Sequence, residues 1–277
     1  MPFLKLVFVA ATFQLSGVLA HGFVDKITID GQVFPGTNPF TPTPPTESIV
    51  WPQTGGNGPI TDVNNAQMTC GRITGSAQTS ATVASGAKVE ISWNGAGFPW
   101  PAGDTGLGPL NHHGPVMNYL AKCDGNCSDQ PTENLNFVKI QERSRLVAGP
   151  IPGVWGSDEM ALAGSVSTFN LPQGLVAGEY ILRHEILALH DAQNNDPQFY
   201  PICANLVITG DGSQPLPAGV PIPGPTYATS PFLKVNLFDG SLESQNYVAP
   251  GPPVFNAAQA RRDAFASSFA RRSRREY

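Results

Sequence analysis

Glycine and proline constrain this chain more than anything else in it. With 29 Gly and 27 Pro among 277 residues, about one position in five is a helix breaker. Glycine costs about 1 kcal/mol and proline about 3 kcal/mol relative to alanine inside a helix, so coiled coils and helical bundles are excluded. What lies between the breakers is short and reads as strand. In Ala87 to Trp93, Val89, Ile91 and Trp93 alternate with Lys88, Glu90 and Ser92, the period of a half-buried strand. Leu233, Val235 and Leu237 alternate with Lys234 and Asn236 in the same way. Tyr180 to His190 is the strongest central strand, with Tyr180, Leu182, His184 and Ile186 on one side and Ile181, Arg183 and Glu185 on the other; Cys203 to Ile208 is a further one.

Strands so spaced, with turn clusters and no βαβ alternation between them, predict an all-β fold, an antiparallel β-sandwich of the immunoglobulin or fibronectin III kind. A hydrophobic content of 41% supplies one sizeable core. The long Gly- and Pro-rich segments 32–62 and 94–111 are then loops, and loops of that length usually carry function.

Residues 1–20, MPFLKLVFVAATFQLSGVLA, combine Lys5, an apolar run, and Val18 and Ala20 at the positions a signal peptidase reads. The expectation is a secretory signal and a secreted, extracellular protein whose mature chain begins at His21 with a free α-amino group. No later stretch approaches the ~18 uninterrupted apolar residues of a membrane span. Net charge is −5, unevenly placed: residues 257–277 hold six Arg against Asp263 and Glu276, while residues 21–256 hold nine Lys and Arg against nineteen Asp and Glu. So acidic a body speaks against nucleic acid or an anionic membrane as partner, since either requires a basic surface. The Ala-, Ser- and Arg-rich segment 257–277 loses the strand pattern and reads as a disordered tail behind a single domain, 21–256.

Four cysteines in an exported chain predict two disulfides, for which three pairings exist. Cys123 and Cys127, four apart beside Asp124, Gly125 and Asn126, suit a small closed loop, which leaves Cys70 with Cys203 as a long-range tie. Asn126-Cys127-Ser128 is formally a glycosylation sequon, crowded by its central cysteine.

Only five histidines occur: His21, His112, His113, His184 and His190. An amino-terminal histidine can bind a metal twice, through its amine and its ring, because the amine's reference pKa of about 7.7 to 8.0 makes deprotonation by a metal easy near neutral pH. One further imidazole completes three nitrogens in a T, an arrangement suited to copper that leaves positions open for oxygen or peroxide. His112 and His113 precede Gly114 and Pro115 on a constrained loop. Gln198 and Tyr200, two apart in an extended segment, face the same side.

At these residues the sequence resembles the fungal cellulose-active lytic polysaccharide monooxygenases of auxiliary activity family 9, formerly glycoside hydrolase family 61. The resemblance covers roughly 21–256. It comprises the HGF opening, H-x-G-P-V-x-x-Y-L-A-x-C from His112 to Cys123, L-R-H-E-I-x-A-L-H from Leu182 to His190, and Q-F-Y-P-x-C from Gln198 to Cys203. P-G-x-x-Y at Pro223 to Tyr227 and Y-V-x-P-G-P at Tyr247 to Pro252 follow.

The resemblance implies a monomeric, copper-dependent oxidase of cellulose or a related β-1,4-glucan, one ion per chain, served by an external reductant with O2 or H2O2. Its loops would form a flat copper-bearing face. His21 and His112 would ligate copper, with the Tyr200 phenol on the axial side. Gln198 and His190 would hydrogen-bond the bound oxygen species. The family's disulfides match the pairs above, Cys70 with Cys203 and Cys123 with Cys127. His113 stands at the variable position of H-x-G-P, and DAQNNDP before Gln198 departs from the family's commoner G-A-Q ending. Phe255 and Tyr227 are the candidates for stacking on sugar rings, with a packing role equally open to Tyr227.

Two other readings compete. A non-catalytic copper- or carbohydrate-binding sandwich would not need Gln198, His190 and Tyr200 together. A hydrolytic glucanase would need a carboxylate pair, for which Glu185 and Asp191 are the nearest candidates.

Overall fold

The computed structural model describes residues 21–41, 43–94, 112–149, 151–242 and 247–256. The segments 1–20, 95–111 and 257–277, with the expected signal, most of the second loop and the tail, lie outside them. Among the described residues twelve strands are formed: β1 (Phe23–Ile29), β2 (Gln32–Pro35), β3 (Ala81–Ala84), β4 (Lys88–Asn94), β5 (Val116–Lys122), β6 (Asn136–Arg143), β7 (Arg145–Val147), β8 (Val154–Trp155), β9 (Val166–Asn170), β10 (Gly178–Ala188), β11 (Gln198–Thr209) and β12 (Val220–Pro221). Two short helices, α1 (Gly156–Leu162) and α2 (Pro225–Ala228), complete the set. A four-stranded sheet, β2-β1-β4-β9, faces a six-stranded one, β12-β6-β5-β10-β11-β3, while β7 and β8 make a small ribbon. This is the predicted all-β sandwich. One pair departs from the antiparallel rule: β3 runs parallel to β11, with Leu206 opposite Ala81.

The larger sheet is buried on both faces. Its even-numbered residues in β10 and β11, among them Tyr180, Leu182, Ile186, Ile202 and Leu206, pack against Ile27, Ile29, Val89, Ile91 and Phe169 of the smaller sheet. Its odd-numbered residues, among them Ile181, Leu187, Phe199 and Cys203, pack against residues from the connecting segments, Trp51, Met68, Trp155, Tyr227 and Leu237. A strand buried on both faces needs an apolar run rather than clean alternation, and YILRHEILA is such a run. Its polar members are paired. His184 Nδ1 lies 2.8 Å from Asn118 Oδ1, and Trp93 Nε1 donates to His184 Nε2 at 3.1 Å. With Nε2 accepting, Nδ1 carries the proton and the ring is neutral.

The Leu233–Leu237 alternation does not make a strand. Pro231–Lys234 is a 3-10 turn, and Leu233 and Leu237 both enter the core behind the larger sheet. Pro231 heads that turn, where its missing N–H is not needed, whereas a ladder would lose a donor there. The segment 32–62 is less loop-like than expected: it contains β2 and is pinned by bridges from Val50 to Ala204, Gln53 to Ile73 and Ile60 to Phe199. Both disulfides are formed, Cys70–Cys203 with Cα atoms 5.1 Å apart and Cys123–Cys127 with 5.4 Å.

Candidate metal centre

Four segments meet at one end of the sandwich. His21 stands two residues before β1, and His112 and His113 stand just before β5. His190 lies two residues beyond β10, and Gln198 and Tyr200 open β11. The register sets Gln198 opposite Ala188 and Tyr200 opposite Ile186, and Ile186 in turn opposite Val116. Strand pairing therefore delivers the side chains of His112, His190, Gln198 and Tyr200 to the same edge.

The H-x-G-P segment is held against β10 and α1. Leu189 N–H donates to the His113 carbonyl at 2.8 Å, and Leu187 N–H to that of Pro115 at 3.0 Å. A Cβ at Gly114 would stand 1.8 Å from the Leu187 carbonyl oxygen, so only glycine fits. The two histidines divide the work. His113 is fully buried, with Nδ1 2.8 Å from Asp158 Oδ1. Asp158 also accepts from the Trp155 amide at the start of α1. His112 instead turns its ring toward His21.

The rings of His21, His112 and Tyr200 form a nearly regular triangle. Centroids are 5.5 Å apart for His21 and His112, 5.8 Å for His21 and Tyr200, and 5.7 Å for His112 and Tyr200. The two imidazoles are edge to face, with planes at 81°. His190 meets His112 edge to face, with centroids 4.9 Å apart and planes at 65°. Tyr200 O–H donates to Gln198 Oε1 at 2.8 Å.

Burial keeps the cluster neutral. It pulls the His112 pKa down to about 3, helped by His190, His21 and His113. His21 is lowered by burial and then by Arg72, and His190 by burial, against the opposing pull of Asp191. Burial also raises the Tyr200 phenol far above its ordinary value. Neutral imidazoles are the ligating form. Among the described residues no three His, Cys, Asp or Glu side chains converge on a metal position. A T of nitrogens needs only two such side chains, because the third donor is a main-chain amine. Two neutral imidazoles and a phenol, joined by the amine that cleavage after Ala20 would free, would fit copper, and His190 Nδ1 is a buried nitrogen with no hydrogen-bond partner among the described residues.

Other expectations fare differently. Tyr227 is fully buried: its hydroxyl donates to Glu185 Oε2 at 2.7 Å and also bonds the Tyr119 hydroxyl. Its ring has no face to offer a sugar, so the stacking role is corrected to a packing one. Phe255 is half-buried along β6, its amide donating to the Lys139 carbonyl at 2.7 Å. Glu185 is sealed in the core with Arg183 at 2.6 Å, which removes it from any hydrolytic carboxylate pair.

The motifs missed three residues. Asn57 donates from its side-chain amide to the His21 carbonyl. Arg72 lowers the His21 pKa. Phe40, 55% exposed, would meet a Cβ at Gly56 at 3.6 Å, which places an exposed ring beside the Asn57 segment. The recess near His21, about 30 Å³ and lined by residues including Gly22, Asn57, Arg72 and Tyr200, has room for water but not for a sugar ring.

Comparison with known proteins agrees with this geometry. The family model of Auxiliary Activity family 9 (formerly GH61) matches residues 21–247. The chain is 37% identical over 267 residues to AA9 family lytic polysaccharide monooxygenase A of Talaromyces verruculosus, covering 93% of this chain and 76% of the relative. Among solved structures it superimposes on the extended catalytic domain of H. jecorina LPMO9A with a TM-score of 0.73 at 31% identity, covering 85% of this chain and 91% of that one. A cellulose-active polysaccharide monooxygenase from M. thermophila gives a TM-score of 0.70 at 30% identity, covering 85% and 99%. The chain belongs to Auxiliary Activity family 9.

Proposed function

We propose that the protein is a secreted, copper-dependent monooxygenase that cleaves cellulose or a related β-1,4-glucan by oxidation at C1, C4 or both. The observation that carries this reading is the meeting of His21, His112 and Tyr200 in one triangle with His190 and Gln198 beside it. The family match begins at His21, the residue that signal cleavage would expose. The M. thermophila relative described as cellulose-active supports the substrate class.

Copper, when bound, supplies the one-electron chemistry that turns O2 or H2O2 and an external reductant into an oxidant for a sugar C–H bond. The chain's own residues do the rest. His21 and His112 would hold the ion as neutral donors, and their low proton affinity keeps them available in mildly acidic surroundings. Tyr200 would stand beside the ion as a neutral phenol, its O–H donated to Gln198 Oε1. His190, with a ring nitrogen unused by the protein, would hold or move a proton at the oxygen co-substrate. Hydroxylation of the carbon destabilises the glycosidic bond, which then breaks by elimination without a carboxylate pair. Phe40, exposed, and Phe255, half-buried, keep ring surface that would meet a sugar.

The test is to incubate the mature protein with copper, cellulose and ascorbate, and then to omit the reductant or chelate the metal. Oxidised oligosaccharides that require both are expected. Reducing sugar released unchanged under chelation would point to a hydrolase, and tight copper binding without products to a metal carrier. Mass spectrometry of the intact amino-terminal peptide should find His21 first; any other first residue would sink the amine ligand.

A further inference from the structure

Asn57 lies outside every motif that makes the site legible, yet its amide holds the His21 carbonyl. The segment around it is fastened at three places. Gln53 Nε2 donates to the carbonyls of Cys70 at 3.3 Å and Pro201 at 3.1 Å. Arg72 donates to the carbonyls of Gly58 at 2.5 Å and Pro59 at 2.8 Å. Ile60 and Phe199 exchange both backbone hydrogen bonds, at 2.9 and 2.8 Å. Gly71, at φ +88°, lets these parts close up, because a Cβ there would stand 2.3 Å from Gln53 Nε2 and 2.7 Å from the Pro201 carbonyl. A continuous brace thus runs from the Cys70–Cys203 disulfide through Gln53 and Arg72 to Asn57, and from Asn57 to residue 21.

The position of that last contact matters. A first residue that chelates through its amine and its ring spends both on the metal, and nothing precedes it in the chain to hold it. Its carbonyl is the one backbone polar atom left for the protein to grip. Rotation about the Gly22 N–Cα bond would swing the amine, ring and carbonyl of residue 21 together relative to His112 and Tyr200, and a pinned carbonyl removes that freedom. We propose that Asn57 is a positioning residue that sets the orientation of the amino-terminal copper ligand by holding the His21 carbonyl.

This inference rests on the copper reading above, and its test separates the two. Mature wild type, Asn57→Leu and Asn57→Asp are loaded with Cu(II); affinity is measured by competition titration, the electron paramagnetic resonance spectrum is recorded, and the metal-free melting temperature is taken. Leu removes the donor, and Asp removes it with almost no change of shape. Residues that orient a metal ligand typically contribute 10- to 100-fold in affinity, so both variants are expected to bind Cu(II) about tenfold more weakly and to show an altered hyperfine splitting, with the metal-free melting temperature unchanged. Should Asn57→Leu fail to fold, Asn57→Ala, which removes the donor without adding charge, takes its place beside Asp. Wild-type affinity and spectrum in the variants overturn the proposal, as does a lowered melting temperature with an unaltered spectrum. A change confined to Asp would report its charge and would overturn it too. Failure of the wild type to bind Cu(II) would instead sink the copper reading itself.

Discussion

Two adjacent histidines with the same chemistry serve different ends because their rings meet different neighbours. His112 faces His21 and Tyr200, while His113 is tied to Asp158 and through it to the start of α1. His112→Ala should therefore abolish tight copper binding and leave the melting temperature of the metal-free protein almost unchanged. His113→Ala should retain the metal but leave Asp158 buried without its partner, at a cost of about 1 to 3 kcal/mol. Copper titration and thermal denaturation of both variants check this, and equal losses of copper would show that the ligand is misassigned. His21, His112, Gln198 and Tyr200 were legible because their spacing is chemical: a possible first residue, a constrained H-x-G-P loop, and two side chains of like parity in a strand. Asn57 and Arg72 were not, because each acts on backbone carbonyls, and a carbonyl leaves no mark on a sequence. Tyr227 was misjudged for a related reason. Its motif says nothing of burial, and the core it enters is built largely by connecting segments.

At the scale of elements, β10 shows what continuous burial demands of polar residues. His184 sits between Asn118 of β5 and Trp93 of β4 as a neutral ring, and burial followed by the nearby Arg183 charge lowers its pKa to about 3. The unfolded chain takes up a proton near 6.5, whereas the folded chain refuses it until about 3. The stability this group contributes is therefore complete above pH 6.5 and is lost as the pH falls towards 3, by about 1.4 kcal/mol per unit. Chemical denaturation of metal-free protein at pH 7, 6 and 5 should show a decline to which His112 also contributes, and His184→Gln should make it shallower; an unchanged slope would contradict the neutral assignment. The strands from 87 and 180 were readable because a long run with consistent parity admits one solution. The failure at Leu233–Leu237 is instructive, since five residues of alternation also fit a turn headed by proline whose leucines plug a core. The parallel pairing of β3 with β11 left no local signal, as partner choice is settled by the packing of the whole sheet.

On the scale of the molecule, the candidate site straddles the sandwich. His21 leads into the four-stranded sheet, and His112 and Tyr200 belong to the six-stranded one. An ion held by both would bind only when the sheets are in place, so Cu(II) in excess over the mature protein should raise the melting temperature in step with its concentration. At about a thousand times the dissociation constant the gain is about 4 kcal/mol. A midpoint indifferent to copper would mean that the ligands do not converge in solution. The sheet bearing most of those ligands is walled in on both sides, by another sheet and by folded-over segments. Sliding one of its strands by a single residue would carry every side chain of that strand to the opposite interior and misfit both packings at once. A substitution within those strands is therefore felt on two sides, whereas one in a rim loop can leave the spacing of His112, His190, Gln198 and Tyr200 as it stands.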